Sequence, residues 1–353
     1  MSRFMSAQYD ALTPYVPGEQ PRDMQYIKLN TNESPFPPPP SVIAAATTEA
    51  GRLQLYSDPE CTDLIEAAAA HFGVKKSQIV MTNGSDEVLN FAFMAFADEE
   101  RPLAFPDITY GFYPVFADLN RIPYEEIPLK DDFSIDPADY IGRKRTVVIA
   151  NPNAPTGRWL TPAAIETIVR ANRDAVVIID EAYVDFGAES VVPLVDRYDN
   201  LLVTQTFSKS RSMAGARLGF GIGSEALIAD LNTIRFSTNP YNINRMTGAA
   251  GVAALRESAY YRSCCSTIAE TRAYTTEALR ARGFEVLDSR ANFVFARLPG
   301  MDGGALYRAL KMRGVLVRHF DRARIADYNR ITIGTRAQMD ALLEAIDGIR
   351  AGK

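Results

Sequence analysis

Leu201-Leu202-Val203-Thr204-Gln205-Thr206-Phe207-Ser208-Lys209-Ser210 reads as a buried strand that ends on a lysine held between two serines. Its first six residues carry no charge, and their length suits a strand covered on both faces. Two further runs share this character. Thr146-Val147-Val148-Ile149-Ala150 ends in Asn151-Pro152-Asn153-Ala154-Pro155-Thr156-Gly157, and the run at 175–179 ends in Asp180-Glu181-Ala182-Tyr183. Shorter strands are predicted at 79–82 and 218–223. Between them the pattern turns helical at 62–72. The turn Asn83-Gly84-Ser85-Asp86 opens an apolar helix that ends near residue 97. Thr161-Pro162 is an N-cap and N1 pair for a helix to about 171. Strands separated by helices predict an α/β fold with a mostly parallel sheet flanked by helices on both faces.

Outward from these strands the chain changes character. Pro37-Pro38-Pro39-Pro40 is a stiff extended lead into a helix at 41–51. Residues 12–36 read as an irregular arm with a short strand-like stretch at 26–29. Beyond about 240 a long Ala-rich helical region is expected at 242–282. Short strands follow at 284–287, 292–296, 315–318 and 330–333, alternating with helices at 304–313 and 337–350. The expected organisation is a large domain over 36–250 and a small α+β domain made by 251–353 together with the arm, 1–35.

Composition narrows the function classes. The chain has 353 residues, 47% apolar and 23% charged, with net charge −5. That balance argues against a nucleic-acid or anionic-membrane binder, so an anionic ligand must be held by a few placed arginines and backbone amides. Cys61, Cys264 and Cys265 have no zinc or disulfide spacing, which fits a reduced, cytoplasmic setting. No metal site is expected. His71 and His319 are the two histidines; His71 reads as a helix-end residue and His319 is given no role. No apolar run approaches the length of a membrane span, and residues 1–10 lack a signal-peptide core.

Ligands of open α/β sheets sit beyond the carboxyl ends of the strands. Here those ends carry an acid, a lysine, an asparagine-rich loop and a Gly-Ser turn opening a helix. An amine shielded from water can form a Schiff base with an aldehyde. A buried carboxylate can keep a pyridine nitrogen protonated, which makes the ring an electron sink. A phosphate is suited by amides at a helix N-terminus (Gly84, Ser85), a hydroxyl (Ser208) and an arginine (Arg217). Taken singly, Tyr110 and Tyr56 read as packing residues, and Arg318 and Arg330 as strand-end charges.

Ser208-Lys209 followed by Ala214-Gly215-Ala216-Arg217-Leu218-Gly219 resembles the lysine signature of the fold-type-I, class I/II aminotransferases, which use pyridoxal 5′-phosphate (PLP). Asp180-Glu181-Ala182-Tyr183 and the loop at 151–157 match in order and spacing. Leu12-Thr13-Pro14-Tyr15, Leu29-Asn30-Thr31-Asn32-Glu33, Tyr56 before Asp58-Pro59-Glu60, Gly84-Ser85-Asp86-Glu87, Thr109-Tyr110-Gly111-Phe112-Tyr113, Val315-Leu316-Val317-Arg318 and Arg330-Ile331-Thr332-Ile333-Gly334-Thr335 resemble the histidinol-phosphate aminotransferase group. The resemblance spans about 12 to 345.

That resemblance implies reversible transamination, with glutamate/2-oxoglutarate as one pair and histidinol phosphate, a phosphorylated amino alcohol, as the other substrate. It implies that Lys209 carries the cofactor and shuttles a proton, that Asp180 pairs with the pyridine nitrogen, and that Tyr183 donates to the ring O3′. Tyr110 would stack on the ring. Gly84, Ser85, Asp86, Ser208 and Arg217 would hold the phosphate, and Tyr56 would reach the cofactor of a second subunit in a homodimer. Tyr15, Asn32, Asn292, Arg318 and Arg330 would line the substrate side. One position departs from the family loop, which reads Asn-Asn-Pro-Thr-Gly: its second asparagine is Ala154 here. Asn153, a water or Tyr183 alone would then serve the ring oxygen. Other readings are an aromatic or broad-specificity aminotransferase, a threonine-phosphate decarboxylase of the same fold, and a PLP-fold regulator, which would carry a DNA-binding module ahead of the domain.

Overall fold

The computed structural model describes residues 2–10 and 12–352. The first part of the chain holds β1 (Ile27–Lys28), α1 (Pro40–Ala50), α2 (Thr62–Phe72), β2 (Ile79–Thr82), α3 (Ser85–Phe96), β3 (Leu103–Pro106), α4 (Phe112–Asn120) and β4 (Tyr124–Ile127). Next come β5 (Thr146–Ala150), α5 (Pro162–Ala171), β6 (Val177–Asp180), β7 (Leu201–Thr206), β8 (Gly219–Gly223), α6 (Glu225–Thr238), α7 (Arg245–Arg256) and α8 (Ser258–Ala281). The last part holds β9 (Glu285–Val286), β10 (Phe293–Arg297), α9 (Gly303–Met312), β11 (Val315–Leu316), β12 (Arg318–His319), β13 (Asn329–Thr332) and α10 (Arg336–Arg350).

A seven-stranded sheet runs in the order β2-β8-β7-β6-β5-β3-β4. Alternate residues of its central strands enter different cores. Val147, Ile149, Val177, Ile179, Leu201 and Val203 pack on one face, and Val148, Ala150, Ile178 and Leu202 on the other. Burial on both faces explains why these strands read as unbroken apolar runs. Each buried Val, Ile or Leu side chain stabilises the fold by about 1.5–3 kcal/mol.

The sheet is parallel except for β8, which runs against both β2 and β7. The chain between β7 and β8 contains only a short 3-10 turn at Ala214–Ala216, so it lacks the helical crossover a parallel return requires. This reversal builds the site. The start of β8 lies beside the ends of its neighbours, with Gly219 opposite both Thr206 and Thr82. The segments 83–85, 207–209 and 217–218 therefore converge. A side chain at Gly219 would stand 2.3 Å from the Ser85 amide nitrogen, so only glycine lets α3 begin there.

A four-stranded antiparallel sheet, β12-β13-β10-β9, lies in the last third of the chain. β1 pairs in parallel with β11. Just past β1, the Leu29 amide donates to Leu316 O (2.8 Å) while Leu29 O accepts from Thr332 N (3.0 Å). The arm is thus stitched between β11 and β13, which carries residues 30–33 toward the end of the large sheet.

The expected helical region at 242–282 divides at Glu257 into α7 and α8, where the backbone leaves helical geometry (φ −91°, ψ 31°). Elements β3, α4, β4 and α6 fall where sequence reading placed none. Strand β3 is four residues ending in proline, and β4 is an edge strand with two glutamates, so neither shows a long apolar run.

Candidate active site

A cleft of about 370 Å³ opens at the carboxyl ends of β5, β6 and β7. Lys209, Asp180, Tyr183, Tyr110, Ser85, Asp86, Ser208 and Arg217 all line it, together with Ala154 and Thr31. Residues separated by more than a hundred positions in the sequence meet here because strand ends of the large sheet, the start of the reversed β8 and the arm converge.

The Lys209 amine donates to the Thr31 carbonyl oxygen at 3.0 Å. Burial, reinforced by the nearby Arg330 guanidinium, pulls its pKa down to about 8. About a tenth of this amine is therefore neutral, and nucleophilic, at pH 7, far more than for an ordinary lysine. Asp180 ends β6 and is buried. Its Oδ2 accepts from the Tyr113 hydroxyl (2.9 Å), and its Oδ1 accepts from the Ala182 amide (3.2 Å) and the Thr204 hydroxyl (3.4 Å). Desolvation pushes its pKa up to about 6 despite the Tyr113 hydrogen bond, which acts the other way. Among the described residues no lysine or arginine pairs with this carboxyl. A buried acid with hydrogen-bond donors but no cation is completed by a cationic group entering the cleft.

The opposite end of the cleft is built for an anion. Gly84 has φ +85°, and Ser85 and Asp86 are the first residues of α3. A Cβ at Gly84 would lie 2.7 Å from the Arg217 guanidinium, so the arginine rests directly over this turn. Arg217 adopts φ +55° and donates to Asp86 Oδ2 at 3.1 Å. Tyr110 donates to Asp86 Oδ1 at 2.8 Å, which fixes its ring at the cleft wall. Ser208 adds a hydroxyl, itself a hydrogen-bond partner of Thr206 (2.9 Å). An amine, a cation-seeking acid and an amide-hydroxyl-guanidinium cradle fit PLP, whose aldehyde, pyridine nitrogen and phosphate need these three partners.

Other predicted residues fall elsewhere. Asn153 does not reach the cleft as a donor. Its amide protons go to Ile108 O (2.9 Å) and Thr156 Oγ1 (3.0 Å), and its Oδ1 accepts from Thr109 (2.8 Å). The asparagine is spent on tying its loop to residues 108 and 109, and Ala154 lines the cleft instead. Asn32 and Asn292 stand behind the wall rather than in it. Asn32 Nδ2 donates to the Tyr183 hydroxyl (2.9 Å), and Asn292 Nδ2 donates to Asn32 O (2.9 Å). Tyr56 is 79% exposed and stacks on Tyr241, with centroids 4.5 Å apart.

Arg318 and Arg330 are cross-strand partners on β12 and β13. Arg318 donates to Val16 O (2.9 Å) and Pro17 O (3.1 Å), and Arg330 donates to Asn30 O (2.9 Å). The Nε of Arg330 is buried without a partner. Both guanidinium groups act on the Tyr15 phenol and lower its pKa against the larger effect of burial. Tyr15 stacks on Phe112 at 4.1 Å and lies 6.3 Å from Tyr110, which joins this cationic corner to the cleft.

Sequence reading missed Tyr113 and Thr332. Tyr113 lies in the first turn of α4, three residues after Tyr110, which precedes the helix. Thr332 sits in a strand where its side chain gives no sign of what it meets.

The family model for "Aminotransferase class I and II" matches residues 24–346, and the chain belongs to that class. Enzymes of this class use PLP. The chain is 52% identical over 353 residues to histidinol-phosphate aminotransferase 1 of Bordetella parapertussis, covering 99% of both chains. It is 50% identical over 351 residues to histidinol-phosphate aminotransferase 2 of Dechloromonas aromatica, covering 98% of this chain and 99% of that one. Within the class, the chain is a member of the histidinol-phosphate aminotransferase family. A solved histidinol-phosphate aminotransferase from Sinorhizobium meliloti, in complex with pyridoxal-5′-phosphate, superposes with a TM-score of 0.86 at 26% identity, over 93% of this chain and 92% of that one.

Proposed function

We propose that this PLP-dependent aminotransferase exchanges the amino group of histidinol phosphate with 2-oxoglutarate, giving imidazole-acetol phosphate and glutamate, a step of histidine biosynthesis. The observation that carries the chemistry is the pairing, in one cleft, of a depressed-pKa amine on Lys209 with a buried, cation-free carboxyl on Asp180. Identity near 50% over whole chains to enzymes of that name supports the substrate.

When bound, PLP supplies an electron sink that makes the Cα proton of an attached amine removable. Lys209 would hold the cofactor aldehyde through its Nζ, and its amine would serve as the base that takes and returns the substrate proton. Asp180 would keep the pyridine nitrogen protonated, a cation that favours the ionised carboxylate. Tyr183 would donate to the ring oxygen, and Tyr110 would pack against the ring. The amides of Gly84, Ser85 and Asp86, the Ser208 hydroxyl and Arg217 would hold the cofactor phosphate.

Arg330, Arg318 and Tyr15 form the substrate anion site. Two guanidinium forks accept either a carboxylate of glutamate or the phosphate of histidinol phosphate. Residues 36–250 serve as the cofactor-binding domain, and 1–35 with 251–353 as the substrate-side domain. The active species is a homodimer, with Tyr56 directed to the partner's cofactor, and it works in the cytoplasm. Among the described residues no helix is long and apolar enough to cross a membrane.

The test is to measure each half-reaction separately by the change in visible absorbance of the PLP-loaded protein. Glutamate and histidinol phosphate should both convert the cofactor to its amine form. Preference for phenylalanine over histidinol phosphate would favour an aromatic aminotransferase, and carbon dioxide release from threonine phosphate without conversion by glutamate would favour a decarboxylase.

A further inference from the structure

The Tyr183 hydroxyl has a single proton, and the residues behind it decide where that proton points. Tyr183 is buried, with its ring edge-on to Phe293 at 5.1 Å. Its oxygen accepts a hydrogen bond from Asn32 Nδ2 at 2.9 Å. An amide NH2 only donates, so this contact leaves the phenolic proton for another acceptor. The cleft lies on the other side of the ring.

The orientation of the Asn32 amide is itself fixed. Its Oδ1 accepts from the Thr332 hydroxyl at 2.9 Å, and the same hydroxyl oxygen accepts from the Asn32 backbone amide at 3.0 Å. Thr332 and Asn32 are buried. Turning the Asn32 amide over would deprive the buried Thr332 proton of its acceptor, so the observed orientation is the favoured one. Asn32 also adopts φ +56°, a left-handed conformation that asparagine tolerates better than most side chains. Asn292 holds the backbone there through Asn32 O. The chain Thr332–Asn32–Tyr183 therefore runs from β13 through the arm to the cleft, with a donor and an acceptor named at each of its contacts.

We propose that Asn32 is a positioning residue, set by Thr332, that makes Tyr183 a donor into the cleft, so that Tyr183 supplies the cofactor ring oxygen without help from position 154. The Ala154 side chain has no donor to offer, and both amide protons of Asn153 are committed to Ile108 O and Thr156 Oγ1. The proposal rests on the reading that Tyr183 faces the ring oxygen. It also places a residue that pairs with β13 of the small sheet in control of the electronics of a cofactor bound at the large one.

The readout is the pH midpoint of the visible absorbance of the PLP-loaded protein. That midpoint reports loss of the proton held between the lysine-linked nitrogen and the ring oxygen. A hydrogen bond donated to the ring oxygen stabilises its anion and keeps the midpoint low. Asn32→Asp replaces the donor with an acceptor that draws the Tyr183 proton away from the cleft. The expected result is a rise of about one to two pH units, the scale of one charge-assisted hydrogen bond. Tyr183→Phe should give a similar rise, and combining it with Asn32→Asp should add little more. A pure charge effect of the aspartate would instead persist in the Tyr183→Phe background and would overturn the proposal. Thr332→Val frees the amide to turn and should raise the midpoint partway, while Thr332→Ser should restore it. This pair carries the test if Asn32→Asp does not fold. Wild-type midpoints in PLP-loaded Asn32→Asp or Thr332→Val, alongside a shifted Tyr183→Phe, would overturn the role of Asn32 alone. An unshifted Tyr183→Phe would overturn the placement of Tyr183 at the ring oxygen, and this inference with it.

Discussion

Arg318 and Arg330 stand directly opposite one another on β12 and β13, and both guanidinium groups lie against the ring of Phe320, at 5.5 and 5.6 Å. Like charges in a cross-strand pair oppose folding unless something intervenes. Backbone carbonyls of the arm take three of their donors, the Phe320 ring offsets part of the repulsion, and the Arg330 Nε remains buried and unpaired. An anion between Tyr15 and the two arginines would complete the arrangement. Inorganic phosphate should therefore raise the thermal midpoint of the wild-type protein, and raise it less in Arg330→Lys. Equal stabilisation of both proteins would remove the anion site from this corner.

The two arginines should separate in kinetics. Arg330 is the more buried and keeps a free donor, so Arg330→Lys should slow both half-reactions by roughly one to two orders of magnitude, the value of a lost charge-assisted hydrogen bond. Arg318 also anchors Val16 and Pro17, next to Tyr15. Arg318→Lys should hurt histidinol phosphate, the bulkier anion, more than glutamate. Single-turnover rates with each donor decide it; undiminished histidinol phosphate turnover in Arg318→Lys would show that its phosphate is bound elsewhere.

Cofactor loading should titrate with Lys209. Because burial brings its pKa to about 8, the neutral amine needed for attack on the aldehyde becomes the major form above that pH. Stopped-flow mixing of apoprotein with PLP should show an uptake rate that rises with a midpoint near 8. A midpoint above 10, where an ordinary lysine titrates, would mean that the amine is not desolvated in solution.

Much of this site was legible in the sequence because its residues end strands whose apolar runs are unmistakable. Lys209, Asp180 and the Gly84-Ser85 turn each follow such a run, and the large sheet brings all three together. What escaped was tertiary. The direction of β8 depends on a connection that contains no crossover helix, and it decides that Arg217 meets Gly84. Asn153 has the chemistry of a cofactor ligand, yet Thr109, Ile108 and Thr156 consume it. Asn32 carries an amide suited to a substrate, but Thr332, three hundred residues on, turns it toward Tyr183 instead. No local pattern records such partners.

Association should be visible at Tyr56. This residue is exposed, stacks on the partly exposed Tyr241, and shares a turn with Leu53 and Leu55, at 61% and 50% exposure. Apolar and aromatic side chains grouped this way mark a surface covered by a partner. Leu55→Asp should shift the sedimentation of the protein toward monomer mass and weaken PLP retention. A wild-type protein that is fully active at monomer mass would sink the dimer reading.

Asp180 should make the apoprotein less stable as the pH rises. Its carboxyl titrates near 6 in the fold against about 4 in the unfolded chain, so between those values the folded state binds the extra proton. The sign follows from linkage: where the folded state holds more protons, stability falls with rising pH, so the contribution is full below about 4 and lost as the pH passes through about 6. Glu181, pushed up to about 7 by burial, acts in the same direction and must be separated from it. Asp180→Asn removes one titration and keeps the other. The wild-type apoprotein should lose up to about 3 kcal/mol more than Asp180→Asn between pH 4 and pH 7.5, two pKa units at about 1.4 kcal/mol each. PLP should abolish this difference by placing a cation beside the carboxylate. Tyr113→Phe, which removes the hydrogen bond that favours the anion, should steepen the loss in the apoprotein. Denaturant unfolding across that pH range, with and without PLP, measures all three. If the apoprotein and Asp180→Asn lose stability in parallel, then Asp180 is already ionised in the empty cleft, and its demand for a cation is not what draws the cofactor into place.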